Sequence, residues 1–199
     1  LDTDIDVDRI ASLIDRIPSL GQRATLWGEL AIRYWRASRE SKLRQCVTER
    51  IVPLLADIGQ EGASYFATIL QAVAPALYYS HRETAFEHIA RLPAHLQDSC
   101  FTQIVYSILR KLSASDPYEL IPGQLYQLSY SDILDICALL ERIKEDVSVY
   151  YFIHVVTDTV AAKRNRDKYT LSQRINVADR FSAILQQKFP APGGIQHDG

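Results

Sequence analysis

Apolar residues recur at helical spacing along almost the whole chain, and five short breaks interrupt them on one plan. Each break sets a large apolar residue after a charged one, and four of the five close on Pro or Gly. They read Arg16-Ile17-Pro18, Asp57-Ile58-Gly59, Arg91-Leu92-Pro93, Arg142-Ile143-Lys144 and Lys188-Phe189-Pro190. Their central residues stand at 17, 58, 92, 143 and 189, at spacings of 41, 34, 51 and 46 residues. A helix, a breaker, a polar gap and a second helix fit within such spacings, which fall within or just beyond the range of repeated helix pairs. A chain built this way covers each apolar stripe with the neighbouring unit.

The stripes themselves support helices throughout. Positions i, i+3, i+4 and i+7 are apolar far more often than alternate positions are, so helix is expected and strand is not. Val7, Ile10, Leu13, Ile14 and Ile17 form the first stripe. Leu26, Trp27, Leu30, Ala31, Tyr34 and Trp35 form a wider one, suited to a helix covered on two sides. Leu43, Val47, Ile51, Leu55 and Ile58 follow, with Pro53 expected to kink the helix or limit its last turn. Phe66, Ile69, Leu70, Val73 and Leu77 mark the next, bent at Pro75, and Phe86, Ile89, Ala90 and Leu92 the one after. Beyond Pro93 come Phe101, Ile104, Val105, Ile108, Leu109 and Leu112, then Ile133, Ile136, Cys137, Leu140 and Ile143, then Val149, Phe152, Ile153, Val156 and Val160. A last helix carries Leu171, Ile175, Ala178, Phe181 and Leu185. Residues 113–129 hold Asp116-Pro117 and Pro122-Gly123 and are expected as an irregular insertion. The organisation expected is one helical-repeat domain over 1–189, with 190–199 as a linker or tail.

This pattern resembles the α-solenoid group that includes HEAT-like and tetratricopeptide-like repeats. The irregular period favours the HEAT-like side, because the tetratricopeptide repeat keeps a fixed 34-residue period and a signature set that are absent here. The resemblance implies an all-α fold, a right-handed α-solenoid of antiparallel helix pairs with about four repeats and a terminal helix. The texture of the units also resembles helical repeats C-terminal to the ATPase module of large bacterial signalling and defence proteins. That likeness implies a sensor or scaffold.

Composition narrows the function classes. Hydrophobic residues make up 47% and charged residues 23%, enough apolar material for a core. A net charge of −2 and a pI near 6.2 give no overall pull toward a polyanion, so nucleic acid or an anionic membrane would need a local patch. Cys46, Cys100 and Cys137 are an odd set, widely separated on apolar stripes, and are expected as reduced core thiols of a cytoplasmic protein. No membrane-spanning run or signal peptide is recognisable, and no membrane partner is expected. The missing methionines and the lack of a helix after Phe189-Pro190 suggest a segment of a larger protein whose exposed repeat ends self-associate.

Catalytic and metal patterns fail one by one. His81, His88 and His95 are seven apart, about 10.5 Å per step along a helix, whereas helical zinc ligands use i and i+4. His154 with Asp158 one turn on suits a helix hydrogen bond better than an oriented base. Asp2, Asp4, Asp6 and Asp8 resemble a calcium loop, but Val7 and Leu13 stand where Gly and Glu are required. Acids there suit a helix N-terminus. Gly62-Ala63-Ser64-Tyr65-Phe66 lacks the closing Gly of a nucleophile elbow, and Glu83 with Glu87 reads as solvated surface. No enzyme activity and no cofactor are expected.

Binding remains. The 11 tyrosines include the pairs Tyr78-Tyr79 and Tyr150-Tyr151, one member of each expected to turn outward. Tyrosine suits interfaces because it joins a large contact area to a polar tip. These four are the candidate sites for a protein or peptide partner. Two basic clusters offer an alternative: Arg33, Arg36 and Arg39, continued by Lys42 and Arg44, and Lys163, Arg164, Arg166 and Lys168. Cations at helix C-termini complement the helix dipole without any ligand. Together on one ridge they would bind nucleic acid or phosphate.

Overall fold

The computed structural model describes residues 7–59, 62–110, 128–144 and 146–190. Among them every regular element is a helix. They are α1 (Val7–Asp15), α2 (Leu20–Arg36), α3 (Glu40–Cys46), α4 (Val52–Ile58), α5 (Ala63–Ser80), α6 (Arg82–Ala90), α7 (Ala94–Arg110), α8 (Tyr130–Leu140), α9 (Asp146–Ala161) and α10 (Leu171–Lys188). All five breaks fall at helix ends. Nearly all of the expected insertion at 113–129 and of the tail at 190–199 lies outside the described residues. The chain divides into two compact units, Leu1–Ile104 and Val105–Gly199, with the division inside α7.

In the first unit α2 is the hub, packed on by α1, α3, α4 and, most extensively, α5. Ser19 caps α2 by accepting from the Gln22 amide at 3.3 Å, which satisfies one of the unpaired donors of the first turn. The contact with α5 depends on Gly28. A Cβ there would stand 3.0 Å from Val73 Cγ1, so any larger residue would have to push that side chain back by a few tenths of an ångström. Pro75 lies inside α5, which continues through it.

Between α3 and α4 the helix widens into a π turn, Val47–Ile51, and the Val52 amide donates to the Val47 carbonyl. The sequence explains the widening. Leu43, Val47, Ile51 and Leu55 repeat every four residues, and over three such steps an α-helix would carry the stripe about 120° round its axis. The wider turn takes up part of that drift, and all four residues are buried. The turn also precedes Pro53, which has no amide to donate.

The second unit is held by α10 lying against α8 and α9. Capping boxes at Ser129 and Thr170 start α8 and α10. Polar groups that enter its core are satisfied locally. Thr159 Oγ1 donates to the Val155 carbonyl at 2.8 Å, and Asn165 Nδ2 donates to the Thr159 carbonyl at 2.7 Å. Tyr169 donates its hydroxyl to the Leu128 carbonyl, and burial, with Asp132 adding to it, pushes this phenol up to about 12. The Lys188 ammonium reaches the Ile143 carbonyl in the same way.

Three stripes are phased differently from the sequence expectation. On α10 the buried residues are Val177, Phe181 and Ile184, whereas Leu171 and Ile175 are 70% and 52% exposed. Leu13 on α1 and Leu26 on α2 also face outward. In each case apolar residues outnumber those that one helix face can bury, and periodicity alone does not say which of two overlapping faces meets the core.

All three cysteines are free and buried. Burial pushes Cys46 and Cys100 up to about 12 and Cys137 to about 11, which leaves little thiolate at neutral pH.

Candidate partner-binding site

The tyrosine pairs part company. Tyr78 is buried, edge-on to Tyr79 at 5.7 Å and beneath the Arg82 guanidinium at 4.7 Å. Tyr79 is half-buried and stacks on Trp35, centroids 3.5 Å apart and planes 12° from parallel. The expectation of partner contact therefore gives way at Tyr78, whose ring is spent on the core of the first unit. At Tyr79 the stack covers one face.

Tyr150 and Tyr151 are different. Both are on the exposed part of α9, at 65% and 39%. Tyr151 is braced from beneath, its ring 5.6 Å from Phe152, which meets Tyr106 in a T-shaped contact at 4.9 Å. Burial and the neighbouring Tyr106 raise the Tyr151 phenol above its ordinary value, so it remains a hydrogen-bond donor. Tyr150 stands over the C-terminal end of α10, where it lines a cavity of about 360 Å³ with Leu185, Gln186 and Phe189. Phe189 is 42% exposed and Val147, one turn before Tyr151, is 84% exposed. An open apolar recess edged by a phenol and an amide offers room for an apolar group and hydrogen bonds to polar atoms beside it.

The basic clusters lie in different units. Arg33 and Arg36 occupy the last turn of α2, where they complement its dipole, and Arg39 is exposed at the corner that follows. Lys163, Arg166 and Lys168 are exposed around a short 3-10 turn after α9, with the Lys168 ammonium 5.8 Å from the centroid of the Tyr169 ring. The side chain of Arg164 lies outside the described residues.

Among the described residues no three His, Cys, Asp or Glu side chains gather as metal ligands, and no helix is long and apolar enough to cross a membrane. His81 pairs with the Ser80 hydroxyl at 2.8 Å, and His154 pairs with Asp158 at 3.5 Å on an exposed face. His88 is half-buried, tilted toward Phe66, with Nδ1 buried and without a hydrogen-bond partner. Burial and then Arg91 lower its pKa from 6.5, against a smaller opposing pull from Glu87. Folding thus favours the neutral ring: its stabilisation is complete above pH 6.5 and is lost as pH falls through the folded-state pKa. Replacing His88→Phe is expected to reduce the loss of thermal stability below pH 6.5, checked by melting both proteins across that range.

Sequence reasoning missed a second recess, in the first unit. Leu26, Thr25, Tyr65 and Ile69 line about 500 Å³ between α2 and the start of α5. Leu26 shares a stripe with Leu30 and so reads as core, and no pattern in the sequence marks Tyr65. No family model matches this chain, and neither curated proteins nor solved structures give a match to it.

Proposed function

We propose that the chain is a non-catalytic helical-repeat module, a scaffold or sensor within a larger cytoplasmic protein, that binds a protein or peptide segment. The observation that carries this reading is the exposed aromatic surface of α9 and α10, where Tyr150, Leu185 and Phe189 open a recess. Large exposed aromatics around an apolar pocket are the usual anchors of protein interfaces. The repeat reading is supported by breaks that coincide with helix ends, and by α2 packing on the helix that follows it and on α5 beyond.

Peptides selected by display against the whole chain test it. Tyr150→Ala is expected to weaken the selected peptides by about thirtyfold, corresponding to about 2 kcal/mol for an anchoring tyrosine. Its melting temperature is expected to stay unchanged, since the ring is exposed. Peptides that bind the variant as tightly as the original chain would remove this surface as the site.

A further inference from the structure

A separate pocket in the first unit has a chemistry of its own. Trp27 and Tyr34 form its buried floor, and Lys42, Gln45, Glu49 and Arg50 form an exposed rim, around a volume of about 150 Å³. Each cation lies against one ring: Lys42 Nζ is 5.9 Å from the Tyr34 centroid and Arg50 Cζ is 5.3 Å from that of Trp27. Arg50 is oriented further by Asp15, 3.2 Å from Nη1. Lys42 has no carboxylate within 4.0 Å among the described residues, so its charge at the mouth of the pocket is uncompensated. The π turn supplies Glu49 and Arg50 side by side, and Gln45 Nε2 donates to Glu49 Oε2 at 3.1 Å, holding that carboxylate at the rim.

The setting is basic. From 33 to 50 the chain places Arg33, Arg36, Arg39, Lys42, Arg44 and Arg50 against Glu40 and Glu49, in a protein of net charge −2. With Asp15 against Arg50 and Glu49 tied to Gln45, Lys42 is the pocket cation left to draw an anionic occupant.

We propose that this pocket seats a single carboxylate of an acidic peptide segment, an Asp or Glu side chain, between the Lys42 ammonium and the Arg50 guanidinium. Three observations favour a carboxylate over a nucleic-acid strand. Cations already sit against the two floor rings, which leaves little room for a base to stack. Glu49 at the rim repels any anion, and a row of phosphates more than a single carboxylate. The volume suits one small group and not a nucleotide. The proposal does not rest on the Tyr150 surface, which belongs to the other unit.

The test is an NMR titration at constant ionic strength that follows the Trp27 indole N–H. Trp35→Phe removes the other tryptophan and so assigns the signal. The probes are a blocked Glu-Gly octapeptide, inorganic phosphate and an eight-residue oligothymidylate. A saturable shift is expected with the octapeptide, and Lys42→Ala is expected to raise its Kd by about tenfold, the loss of one charge-assisted hydrogen bond. Arg44→Ala, an exposed cation on α3 outside the pocket, is expected to change Kd much less. A non-saturating shift, or equal losses in the two variants, would overturn the site. Saturation by phosphate at the same concentrations would reduce it to a general anion site and overturn the peptide assignment. Saturation by the oligonucleotide alone would replace that assignment with nucleic acid.

Discussion

Replacing Phe181→Asp is expected to unfold the 105–199 unit. The ring is 4% exposed, between Val177 and Ile184 on the buried side of α10. Removing a buried phenylalanine costs about 3 to 5 kcal/mol, and the new carboxylate either ionises in an apolar site or takes up a proton to avoid it. A domain of this size has about 5 to 10 kcal/mol in hand. The expected result is a loss of helicity by far-UV circular dichroism at neutral pH, with partial recovery in acid where the new side chain is neutral. Phe181 does not face outward, so charge at position 181 acts on folding and not on self-association. The large apolar residues that do face outward on α10 are Leu171 and Ile175, and that is where added charge would act on association.

The second large effect is Phe152→Ala, expected to destabilise the same unit by about 3 to 5 kcal/mol. Phe152 is fully buried and makes T-shaped contacts with Tyr106 and Tyr151. Such aromatic pairs add about 0.5 to 1.5 kcal/mol beyond the area they bury. Its neighbour provides the control. Tyr151→Ala, at an exposed position, is expected to cost about 1 kcal/mol or less. Urea denaturation checks both: the midpoint falls far for Phe152→Ala and little for Tyr151→Ala, with the slope kept. Equal midpoints would mean that the α9 face has been assigned the wrong way round.

The contrast between these adjacent residues shows how far the sequence could be read. The α8 stripe of Ile133, Ile136, Cys137, Leu140 and Ile143 is buried at every position, and so is the α9 stripe from Val149 to Val160. On both helices the stripe itself packs inward, so periodicity identifies the core directly, although α9 carries further large apolar residues, Val147, Tyr150 and Tyr151, on its exposed side. On α10 and α1 apolar residues fall on two overlapping faces, and the choice is made by packing partners that no local pattern encodes. Tyr78 and Tyr150 illustrate the same limit at the candidate site. Each opens a Tyr-Tyr pair on an apolar helix, yet one is enclosed by Tyr79, Phe86 and Arg82 while the other faces outward. The pocket above Trp27 was less legible still. Its rim residues are spread over a helix whose π turn sets where Glu49 and Arg50 stand, and its floor comes from α2.

Both tryptophans, Trp27 and Trp35, belong to the first of the two units. Their emission is therefore blind to half of the molecule. A denaturation curve followed by tryptophan fluorescence reports directly on the unit before Ile104, and a protein crippled by Phe181→Asp would pass such an assay as native if the two units melt separately. Helicity must be followed alongside it, and the gap between the two curves would itself measure how far the halves melt as one cooperative body.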